Sequence, residues 1–157
     1  MNIADHSRIW IFQSNRAFNE TELSEINFRF EDFLIDWNAH GAALLAAYEI
    51  IDQQFIVVAV DEDQATASGC SIDKLTKTIK ALEEKYQFGF LDRMNIAYQE
   101  ADQVKIERLT DFKSKVKNGE ITENVIVYNN GLSNLGSFKS EWKLPLKKSW
   151  AKNLIPN

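Results

Sequence analysis

Asp61, Asp63 and Cys70 stand close together in one stretch, QFIVVAVDEDQATASGCSIDKL, where an apolar run gives way to acids and then to a loop of small residues. Carboxylates at alternate positions of an extended chain point the same way, so Asp61 and Asp63, joined by Asp73, can share a hard cation such as Mg²⁺. A thiol attacks as its thiolate, which the positive end of a helix dipole favours. With Ser71 as the N-cap of the following helix, Cys70 lies beside that end. Ser68, Gly69, Ser71 and Asp73 then form a helix start whose main-chain N–H groups can receive an anion. His40 is the base that would activate Cys70 if the preceding helix ended over this loop. Each residue also has a plain structural role: solvated acids after a strand, a small cysteine in a tight turn, and an imidazole that complements a helix C-terminus.

The elements that must position these residues follow from hydrophobic periodicity. Arg8 to Ser14 is rich in β-branched and aromatic residues and reads as a strand. Leu23, Ile26, Phe30, Phe33, Leu34 and Trp37 repeat with helical spacing behind a cap at Asn19 or Thr21, and the helix stops near His40-Gly41. Ala43 to Ile51 and Phe55 to Val60 are strands joined at Asp52-Gln53, the second apolar enough for the middle of a sheet. A helix carries Ile72, Leu75, Ile79, Leu82 and Tyr86 on one stripe. Asp92 to Tyr98 and Gln103 to Leu109 form a hairpin, Thr110 caps a short helix ended by Gly119, and Asn124 to Tyr128 is a last strand.

The element order β-α-β-β-α-β-β-α-β predicts an α+β fold, a mixed or antiparallel sheet with helices packed on one face. Its first six elements match a ferredoxin-like arrangement. The 157 residues suit one domain, with a basic, tryptophan-containing tail over 129–157 that Trp142 and Trp150 would pin to the body.

Composition narrows the function classes. No apolar run reaches the roughly 18 residues of a spanning helix, and the N-terminus has no apolar signal region, so no membrane insertion or secretion is expected. A lone cysteine favours a reducing, cytoplasmic setting. The net charge of -5 argues against nucleic acid as a partner. Residues 1–63 hold three arginines against twelve carboxylates, net -9, whereas the remainder holds 15 cations against 11 carboxylates, net +4. That asymmetry gives an acidic half suited to a cation and a basic C-terminal half suited to an anion or a partner. Walker A, dinucleotide and paired-histidine zinc motifs are absent, which removes P-loop ATP hydrolysis from consideration.

The segments Arg8-Ile-Trp10-Ile-Phe-Gln, Trp37 with Ala39-His40-Gly41, Val60-Asp61-Glu62, Ser68-Gly69-Cys70-Ser71-Ile72-Asp73-Lys74, Asp92-Arg93-Met94, Tyr128-Asn129-Asn130 and Trp142 to Trp150 together resemble an uncharacterised family of short bacterial proteins often labelled ABC transporter ATPases. The resemblance covers nearly the whole chain, is most specific at SGCSIDK, and implies no established activity. Separately, Leu109 to Tyr128 is similar to the helix, Gly-x-Ile and strand portion of GYF-type adaptor domains, which implies peptide binding, although the Gly-Pro that opens that module has no counterpart here.

These readings point first to a non-catalytic binding or interaction domain with a protein partner or self-association, and no cofactor. The alternative is a small enzyme whose 61–74 loop holds Mg²⁺ on Asp61 and Asp63, or uses Cys70 with His40.

Overall fold

The computed structural model describes residues 1–39, 45–63 and 66–157. The chain runs β1 (Arg8–Gln13), α1 (Glu20–Ala39), β2 (Leu45–Ile51), β3 (Phe55–Asp61), α2 (Gly69–Tyr86), β4 (Asn95–Glu100), β5 (Gln103–Arg108), α3 (Leu109–Lys117), β6 (Ile126–Tyr128), α4 (Leu135–Glu141) and β7 (Lys143–Pro145), then two short 3-10 turns. It is an α+β fold with two antiparallel sheets, ordered β1-β3-β2 and β5-β4-β6-β7.

Side-chain alternation stacks these elements in layers. β3 is buried on both faces, as its unbroken apolar run requires. Ile56, Val58 and Val60 face Ile26, Phe30 and Trp37 of α1 and Leu75, Ile79 and Leu82 of α2. Phe55, Val57 and Ala59 turn the other way, onto Ala97 of β4, Tyr128 of β6 and Trp142. The far face of the second sheet buries Tyr98 and Val127 under Phe112 and Val116 of α3 and Leu146 of the C-terminal segment. Each large apolar side chain removed from water contributes about 1.5–3 kcal/mol, so both β3 faces and both sheets are held mainly by this burial.

Tight turns, of three residues between β2 and β3 and two between β4 and β5, close the hairpins. Asp52 and Gln53 (φ 53° and 52°) join β2 to β3, and Ala101 and Asp102 (φ 49° and 61°) join β4 to β5, the positive φ pair that matches strand twist. The α1 start is a reciprocal capping box in which Glu22 N–H donates to Asn19 Oδ1 and Asn19 N–H to Glu22 Oε2, both at 2.9 Å. Arg16 grips the same carboxylate through both nitrogens, at 2.9 and 2.7 Å. The hydrogen bonds from Arg16 hold the Glu22 carboxyl below its ordinary pKa.

The structure departs from the sequence reading in three places. The expected single sheet is two, with α1 and α2 on the outer face of the first, α3 on the outer face of the second, and α4 packed against the core between them. In a ferredoxin-like sheet β4 would flank β1, but here β4 pairs with β5 and β6, while Ser133 to Leu135 occupies part of the outer edge of β1. The segment after 129, expected as a tail, forms α4 and β7, while its Trp142 is buried against the body as expected.

Candidate functional site

Asp61 ends β3, and its Oδ1 accepts the Asp63 N–H at 2.9 Å, which folds the acidic turn back on itself. The third group here is His6, whose Nε2 lies 2.9 Å from Asp63 Oδ1 and 3.5 Å from Asp61 Oδ1. Donor atoms of all three fall within 4.8 Å of one another. His6 belongs to no periodic element, and only the tertiary course of the N-terminal segment brings it to β3. Glu62 is used structurally, accepting the Ala67 N–H at 3.1 Å and pairing with Arg8 at 3.7 Å.

The helix start lies further along. Ser68, not Ser71, is the N-cap: its Oγ accepts the Ser71 N–H at 3.2 Å, and α2 begins at Gly69. Cys70 therefore sits inside the first turn and is exposed. The hydroxyls of Ser68 and Ser71 are 3.1 Å apart, and Asp73 is exposed on the helix. Trp37 Nε1 donates to Ser71 O at 2.8 Å, tying the end of α1 to this turn. His40, the expected base for Cys70, lies outside the described residues.

A deeper concavity lies away from this helix start. A cleft of about 690 Å³ opens where the outer edge of β1 faces the loop at 90–93, the first residues of β4 and the loop at 128–132, with Trp150 at its side. Its polar wall is a chain of oriented amides: Trp142 Nε1 donates to Asn130 Oδ1 (3.0 Å), Asn130 Nδ2 to Gln13 Oε1 (2.8 Å), and Gln13 Nε2 to Asn95 O (2.9 Å). An indole nitrogen can only donate, so the direction of every bond in the chain is fixed from Trp142 outward. Trp150 stacks on Phe112 with centroids 6.1 Å apart and donates to Tyr128 O at 3.1 Å. Burial pushes the Tyr128 phenol up, and its hydroxyl is engaged by Gln99 Nε2 at 3.0 Å.

The main chain of β1 completes the cleft. Ile9 N–H donates to Ser133 O and Leu135 N–H to Ser7 O, so Ser7 and Ile9 turn their polar backbone away from β3. Antiparallel pairing alternates along a strand, which puts the N–H and C=O of Ile11 on the same outer side. Among the described residues no other segment supplies a main-chain partner to either group. Leu91 and Trp150, both on the cleft, remain 55% and 43% exposed, and neighbouring Met94 is 50% exposed. Arg93, also on the cleft, has no carboxylate partner among the described residues, whereas adjacent Asp92 is taken by Arg108 at 2.6 Å.

Of the residues singled out in the sequence, Asp61 and Asp63 are brought together, and Ser68, Gly69, Cys70 and Ser71 share one exposed helix start. None of them lines the cleft. Sequence patterns do not reveal the cleft residues, because their signal is tertiary: Gln13 and Asn130 are 117 positions apart. No protein-family model and no curated protein matches the chain. No helix among the described residues is long and apolar enough to cross a membrane.

Proposed function

We propose that the chain is a non-catalytic binding domain that takes its ligand in the cleft between β1 and the loops at 90–93 and 128–132. The observation that carries this reading is the unpaired edge of β1 at Ile11, set in a cleft with a fixed amide wall and an apolar rim. A surface of this kind combines a few oriented polar groups with apolar contact area, the usual composition of a binding site. Amide spectra of ¹⁵N-labelled protein titrated with a set of small polar and aromatic fragments test the reading. Shifts should concentrate on Ile11, Asn129 to Leu132 and the Trp150 indole; shifts confined to other surfaces would reject it.

A second reading, a small enzyme with a metal-dependent acidic site, draws support from the position of His6. Two carboxylates and an imidazole suit Mn²⁺ or Zn²⁺ better than Mg²⁺, which prefers oxygen donors. Calorimetric titration with Mn²⁺, Zn²⁺ and Mg²⁺ decides it: heat lost in Asp63→Asn and in His6→Ala supports a site, and no heat with any of the three removes it.

A further inference from the structure

We propose that the ligand of the cleft is a short extended peptide segment bearing an acidic side chain, which adds as a strand to the outer edge of β1. This assignment of a partner class rests on the cleft being the binding site.

The backbone supplies the first argument. Main-chain N–H and C=O groups in a cleft need a partner with both an acceptor and a donor at strand spacing, and an extended polypeptide has both. Two ties mark the limits of the free edge. Ile9 N–H is bonded to Ser133 O at one end, and the Gln13 amide is bonded to Asn95 and Asn130 at the other. At a rise of about 3.3 Å per residue the open interval is on the order of 13 Å, room for about four residues centred on Ile11. Addition of a strand to a sheet edge takes affinity from such backbone bonds and specificity from pockets for alternate side chains. Leu91 and Trp150 supply the apolar contacts for those alternate positions.

Charge supplies the second argument. Arg93 lines the cleft and forms no ion pair among the described residues. A strand edge beside an uncompensated guanidinium selects an acidic segment over a basic one.

The test uses full-length protein and a library of acetylated, amidated hexapeptides with apolar residues at alternate positions and one Glu or Asp, beside a matched set carrying Lys instead. Acidic hexapeptides should bind at least tenfold more tightly than their Lys counterparts, and they should slow hydrogen exchange at the Ile11 amide. Ile11→Pro removes the outward N–H and leaves the β1–β3 hydrogen bonds in place, as proline on an edge strand allows. It should weaken binding at least tenfold. Arg93→Glu, which leaves the backbone untouched, should do the same and guards against misfolding of the proline variant.

Peptide binding with unchanged exchange at Ile11, or equal affinity for the two peptide sets, overturns strand addition. Fragments that shift the cleft residues while no hexapeptide does would reject the peptide and leave the cleft reading standing; silence from both would reject the two together. Protection of Ile11 in the free protein that grows with concentration, alongside a dimer in light scattering, would assign the edge to a second copy of this chain and likewise overturn the proposal.

Discussion

Trp142 Nε1 donates to Asn130 Oδ1 at 3.0 Å, and this one bond orients the Asn130 and Gln13 amides down to the carbonyl of Asn95. Replacing Asn130 with aspartate keeps the acceptor for Trp142 but removes the donor for Gln13. If Gln13 turns its amide to compensate, its oxygen then faces Asn95 O, so two acceptors meet either way. With Gln13 buried, Asn130→Asp should cost about 1–3 kcal/mol in urea unfolding at pH 7. An unchanged unfolding midpoint would contradict the relay.

Ser7 offers the opposite case. Its Oγ is buried and has no hydrogen-bond partner among the described residues. The hydroxyl was desolvated on folding without compensation, so Ser7→Ala should raise stability by about 1 kcal/mol. Thermal unfolding checks this, and a lowered melting temperature would mean that the hydroxyl has a partner after all.

Glu25 joins α1 to the end of α2. Tyr86 donates its hydroxyl to one carboxylate oxygen, and Lys85 Nζ lies 3.0 Å from the other, with Arg29 at 3.1 Å. Hydrogen bonds from Tyr86 first and Lys85 second lower the Glu25 pKa to about 2, from an ordinary 4.5. A depressed carboxyl pKa stabilises the folded state above the unfolded-state pKa, and that stability disappears as pH falls through the folded pKa. Wild type should therefore exceed Glu25→Gln in stability above about pH 5, and the difference should shrink steadily towards pH 2. A difference independent of pH over that window would show that Glu25 acts through packing.

Cys70 is exposed, and α2 is capped by Ser68 without it. The folded protein should react with a thiol reagent without denaturant, and Cys70→Ser should leave both melting temperature and cleft binding unchanged. Loss of binding in Cys70→Ser would move the binding site to the 61–74 loop.

Much of this fold was legible in local sequence. The apolar run of β3, the α1 stripe through Ile26, Phe30 and Trp37, and the α2 stripe through Leu75, Ile79 and Leu82 report burial directly, because the side-chain period of an element is the period of its buried face. What local patterns do not carry is partner choice. Nothing in the sequence of β4 distinguishes pairing with β1 from pairing with β6, and Ser68 and Ser71 are equally good caps by type. The acidic pair was legible at Asp61 and Asp63, yet its third member, His6, arrives by tertiary contact alone. The cleft was the least legible part, since its defining groups are the backbone of Ile11 and amides from distant segments.

Hydrogen exchange at the Ile11 amide tests the central claim most directly. Antiparallel alternation turns the N–H groups of Trp10 and Phe12 towards β3, whereas the Ile11 N–H, two residues from the outward-bonded Ile9, faces the cleft. In the free protein Ile11 should exchange about 100-fold faster than its two neighbours, and it should slow when an acidic hexapeptide fills the cleft. If Ile11 in the free monomer exchanges as slowly as Trp10 and Phe12, the edge of β1 is already satisfied and the binding account fails.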